Sequence, residues 1–108
     1  MSLIPPTLAQ HHQNFILLAS MTHQEIYDEL KMLAQEMGLS IRSELGDFDG
    51  GLCTVKSQRV ILVNRRHDMG RRIHIIARSL HSVGLQDRFI KPALREVIED
   101  EIATLKYA

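Results

Sequence analysis

Residues 65–82, RRHDMGRRIHIIARSLHS, place five arginines and three histidines in eighteen positions of a chain whose formal net charge is zero. Imidazoles bind transition metals and move protons, and guanidiniums bind phosphates and carboxylates. Spacing decides among these chemistries. His67, His74 and His81 recur every seven residues. On a helix that period returns them to nearly the same face but separates successive members by roughly 10 Å along the axis. A zinc ion bonded at about 2 Å needs two helical ligands about three or four residues apart. None of the histidines at positions 11, 12, 23, 67, 74 and 81 has another at that spacing. A helical zinc pair is therefore excluded, and no metal, cofactor-binding or catalytic residue is assigned.

The same stretch reads better as an anion-binding face. At about 100° per residue, Arg71, His74, Arg78 and His81 fall within about 80° of one another, a basic ridge roughly 15 Å long. Lys56 and Arg59 in a hairpin turn, with Arg65 and Arg66 ahead of the helix, would extend it. Such a ridge can neutralise phosphates with release of counterions. Two features weigh against it. The neutral chain lacks the basic balance of a dedicated nucleic-acid binder. Its three Phe and two Tyr, with no Trp, leave no aromatic platform in the basic segment for stacking bases.

Charge is divided along the chain. Residues 1–55 sum to −5, residues 56–95 to +8 and residues 96–108 to −3. Such segments attract an anionic partner or neutralise one another within the fold or across a dimer. The plain alternative to a binding surface is a solvated helical face, one that can pair with the acidic first helix. Cys53, the single cysteine, excludes an intramolecular disulfide and reads as a small buried hydrophobe. Asp47-Phe48-Asp49-Gly50 lacks the remaining ligands of a calcium loop. Phosphate-loop, dinucleotide and nucleophile-elbow motifs are absent. Ser79 and His81 diverge by about 200° on a helix and cannot act as nucleophile and base.

The elements that position these residues are legible from period and punctuation. Residues 1–20 read as a flexible arm, able to pack in trans, or as a short extra helix, with Pro5 and Pro6 opposing regular structure at its start and Met1 and Met21 both candidate starts of translation. Thr22 and Glu25 form a capping box, followed by the apolar face Ile26, Leu30, Leu33, Ala34 and Met37, with Gly38 as terminator. Leu39 to Leu45 alternates as a half-buried strand. Leu52 to Val55 and Val60 to Val63 form a hairpin around a four-residue connection, Lys56 to Arg59. The unbroken apolar second arm predicts a central strand covered on both faces. Asp68 caps the basic helix, whose buried stripe is Met69, Ile73, Ile76, Ala77, Leu80 and Val83, with Gly84 as its stop. A last helix starts at about Pro92 and buries Leu94, Val97, Ile98, Ile102 and Leu105.

The expected fold is thus α+β: one domain over residues 21–108, ordered helix, strand, hairpin, helix, helix, with a three-stranded sheet packed by helices. This succession, with Val60-Ile61-Leu62-Val63-Asn64 leading into an amphipathic helix, resembles the core of minimal zincin metallopeptidases. It also resembles small uncharacterised bacterial proteins with a GGLC hairpin and a PALRE helix, here Gly50 to Cys53 and Pro92 to Glu96. The resemblance spans roughly residues 22–102. Zincins carry H-E-x-x-H on that helix, where this chain has Arg78-Ser79-Leu80-His81-Ser82. No register restores the motif, so no zincin ligand or catalytic residue carries over.

No apolar run approaches the length of a membrane span, and no basic leader precedes residues 15–20. The expectation is a non-catalytic cytoplasmic domain acting through protein contacts, as a homodimer or with another protein. A nucleic-acid binder using the basic helix is the alternative, and an enzyme of unknown class the second alternative.

Overall fold

Thr22 ends the preceding chain and starts the first helix through reciprocal bonds. Its hydroxyl accepts the Glu25 N–H at 3.1 Å, and the Glu25 carboxylate accepts the Thr22 N–H at 3.5 Å. The computed structural model describes residues 21–85 and 88–106, so the arm at residues 1–20 lies outside the described residues. Helix α1 spans His23–Glu36 and buries Ile26, Tyr27, Leu30, Leu33 and Ala34. Gly38, at φ +79°, turns the chain out of the helix as expected.

Three strands follow: β1 (Ser40–Glu44), β2 (Gly51–Val55) and β3 (Gln58–Asn64). Their order in the sheet is β1-β3-β2, so the most apolar strand is central, as its composition predicted. β1 lies parallel to β3, with Ser40 opposite Val60 and Glu44 opposite Asn64. β2 lies antiparallel to β3, with Leu52 opposite Ile61. The coverage of β3 is uneven. Ile61 and Val63 join one apolar cluster with all three helices, whereas Val60 is buried outside that cluster and Leu62, on the same face as Val60, is half-buried.

The hairpin connection is shorter than expected. Gln58 and Arg59 pair with Val55 and Thr54, leaving only Lys56 and Ser57 in the turn. Both adopt left-handed backbones, φ 50° and 70°, as a two-residue turn matching the strand twist requires. Neither is the Asn or Gly that normally announces such a turn, which is why four residues read as loop. Ser57→Gly should relieve the left-handed penalty and stabilise the domain by about 0.5–1 kcal/mol. A urea melt with an unchanged slope and a higher midpoint is the expected result.

Helix α2 spans Met69–Val83, with the Asp68 carboxylate accepting the Arg71 N–H at 2.8 Å. It ends at Gly84, φ +105°, whose N–H reaches the Leu80 carbonyl. Its buried face is wider than the predicted stripe, taking in Ile75 and Ser79 while Met69 and Val83 are only partly buried. The cause is its position, since α2 touches β2, β3, α1 and the last helix. The Ser79 hydroxyl satisfies itself on the Ile75 carbonyl at 2.8 Å. Helix α3, Pro92–Lys106, buries Leu94, Val97 and Ile98 and half-buries Ile102; the Leu105 side chain lies outside the described residues. Among the described residues no helix is long and apolar enough to cross a membrane.

Candidate functional site

The basic ridge exists as a helical face, but its members meet different surroundings. Arg71, half-exposed, lies 3.7 Å from the Asp49 carboxylate in the β1–β2 loop. So long and exposed a pair contributes little to stability. His74 is largely withdrawn. Its Nδ1 donates to Glu101 Oε2 on α3, and its Nε2 accepts from the Arg78 guanidinium at 3.2 Å. The partners fix that tautomer, because guanidinium only donates and carboxylate only accepts. Glu101 therefore places a carboxylate beside the middle of the ridge. His81, at the far end, is exposed and lines a shallow cavity with Arg95 and Glu99. The acids facing the basic helix come from the β1–β2 loop and α3. Among the described residues no carboxylate of α1 pairs with the basic helix, and its Glu29 holds Lys91 at 3.1 Å.

Lys56, Arg59, Arg65 and Arg66 are all exposed, and none forms an ion pair with a described carboxylate. They do not all gather at one place: Arg66 shares the crevice of Asp49, the partner of Arg71, whereas Lys56 and Arg59 lie at the other end of the sheet. β3 carries Arg59 at its start and Arg65 and Arg66 beyond its end, so the two groups flank opposite ends of a seven-residue strand, roughly 20 Å apart. The candidate anion surface is thus divided, with Lys56 and Arg59 apart from the rest and the helical ridge partly neutralised by Asp49 and Glu101. Cys53 also departs from its expected burial. It sits half-exposed on the edge strand β2.

A polar crevice of about 400 Å³ opens at the carboxyl ends of β1 and β3, between the β1–β2 loop and the turn into α2. Asn64, only 3% exposed, braces it. Its amide donates to the Gly46 and Phe48 carbonyls at 2.9 and 2.8 Å, and its oxygen accepts the Arg66 N–H at 3.0 Å. Arg72 ties the facing turn by donating to the carbonyls of Arg65 and His67 at 2.8 and 3.0 Å. Asp47, Asp49, Arg66 and His67 line the opening. Their mixed charges suit neither a simple anion nor a simple cation. Among the described residues no three His, Cys, Asp or Glu side chains are grouped to hold a metal. The Nδ1 atom of His67 is buried with no hydrogen-bond partner among them.

Sequence reasoning passed over a third surface. Phe89 is 86% exposed and Met32 54% exposed. Both line a groove of about 170 Å³ between α1 and the start of α3, with Leu33 and Leu94 buried at its base. The signal was present in RFIK, residues 88–91, where two adjacent apolar residues cannot both face the core of a short connection.

The described residues define a small α+β fold with three helices and a mixed three-stranded sheet. Comparison with protein-family models, with curated proteins and with solved structures finds no match.

Proposed function

We propose that this domain works without catalysis, in the cytoplasm, through contacts with protein. The exposed aromatic Phe89 beside Met32 and an apolar groove carries this reading. Apolar side chains clustered around a concavity mark interaction sites more than scattered ones do.

The anion-binding alternative is favoured by the exposed Arg65, Arg66 and Arg78, and disfavoured by Glu101 and Asp49 along the ridge. Fluorescence anisotropy with labelled DNA and RNA separates the two. At physiological salt no saturable binding is expected, and Arg71→Glu with Arg78→Glu should behave as the parent does. Tight binding that weakens steeply with salt and disappears in the double variant would replace the protein-contact reading with the anion-binding one.

A further inference from the structure

Phe89 and Ile90 are neighbours with opposite fates. Ile90 is 5% exposed and anchors the connection in the core, while Phe89 is 86% exposed. Phe89 stands exposed at the border of a groove that it lines but does not fill. The groove measures about 170 Å³, and an apolar cavity of about 150 Å³ suffices for benzene. A phenyl ring is therefore the right size of occupant. Met32, Leu33 and Leu94 give it an apolar lining that Phe89 itself borders, and of its two α1 carboxylates Glu29 is met by Lys91 while Glu36 is left facing outward.

The segment carrying Phe89 has the complementary charge. Arg88 precedes the ring and Lys91 follows Ile90. Lys91 is engaged with Glu29 at 3.1 Å. Arg88 and Glu36 are exposed, and neither forms an ion pair with another described residue. Knob, groove and opposite charges thus lie on one surface of one chain. A two-fold axis next to Phe89 satisfies all of them at once, because in an isologous contact each copy gives what the other receives.

We propose that the domain forms a two-fold homodimer in which Phe89 of each copy enters the α1–α3 groove of the other, with Arg88 of one copy facing Glu36 of its mate. This rests on the protein-contact reading above and names the partner as a second copy of the chain. A single aromatic on each side flanked by a charge pair makes a small interface, so the dimer exchanges readily with monomer.

Sedimentation equilibrium of the full chain over a wide concentration range tests it. Concentration-dependent dimer is expected for the parent. Phe89→Glu and Arg88→Glu should each weaken it roughly tenfold or more. Arg88→Glu combined with Glu36→Arg should recover most of that loss, since the swap restores opposite charges across the axis. All three positions are exposed, so circular dichroism and thermal midpoint serve as the folding control. Monomer at every concentration overturns the proposal, whether residues 1–20 or a foreign chain fill the groove. A dimer indifferent to Phe89→Glu, or a charge swap with no recovery, overturns it equally. The protein-contact reading itself falls only on the nucleic-acid result described above.

Discussion

Gly50→Ala is expected to cost the domain about 2–4 kcal/mol, a large share of the stability of a chain this size. Two independent penalties combine there. The backbone has φ +97°, a conformation that L side chains rarely adopt. A Cβ built on it would also stand 2.5 Å from the Leu62 carbonyl oxygen. That atom belongs to the central strand, so relief means pushing β2 away from β3. Gly51 is the control. It too has a positive φ, +135°, but a Cβ there meets nothing within 4 Å. Gly51→Ala should therefore lose distinctly less. Thermal unfolding reads the difference, since about 1 kcal/mol shifts the midpoint of a domain near this length by about 4–8 °C. Equal losses at the two positions would mean that backbone strain alone, and not the Leu62 contact, sets the cost.

Asn64→Ala should be nearly as damaging, at about 2–3 kcal/mol. The side chain is, among the described residues, the one hydrogen-bonded link between the end of β3 and the carbonyls of Gly46 and Phe48, which lie sixteen to eighteen residues earlier. Truncation strands those two acceptors and removes the Asn64 oxygen from the Arg66 N–H. Asn64→Asp should be worse still. It would present a buried carboxylate to two carbonyl oxygens, with only the Arg66 N–H in its favour. Hydrogen exchange adds a local readout: protection at Arg66 should fall in both variants even under conditions where the rest of the domain stays folded. If Asn64→Asp proved as stable as the parent at neutral pH, the bracing role would be refuted.

Much of this architecture was legible because its signals are local. The Thr22–Glu25 box, the Asp68 cap and the glycines at 38 and 84 each act within one turn of chain, and each forms where the sequence places it. The central position of β3 followed from an apolar run too continuous for a sheet edge. What could not be read depends on contacts remote in sequence. That β1 runs parallel to β3 is a matter of which edge is free once the hairpin has formed. Ile75 and Ser79 are buried because α2 is enclosed by neighbours on several sides, a fact absent from its own periodicity. The site fared less well than the fold. Helical angles put Arg71, His74, Arg78 and His81 on one side of α2, but gave no warning of Glu101, which arrives from α3. Nor did they locate Phe89, whose exposure follows from Ile90 taking the core position beside it.

The mixed sheet also implies an order of assembly. β2 and β3 are joined through Lys56 and Ser57 alone, whereas β1 must register Ser40 against Val60 across the intervening loop and hairpin. Closing a longer loop costs more entropy, by about 0.6 kcal/mol for each doubling of length. Hairpins close in about 1–10 μs, and pairings distant along the chain come later. The hairpin is thus a template onto which β1 is laid, and β1 has no partner until that template exists. The amino-terminal segment of the domain, α1 with β1, is then expected to dock after the hairpin has closed.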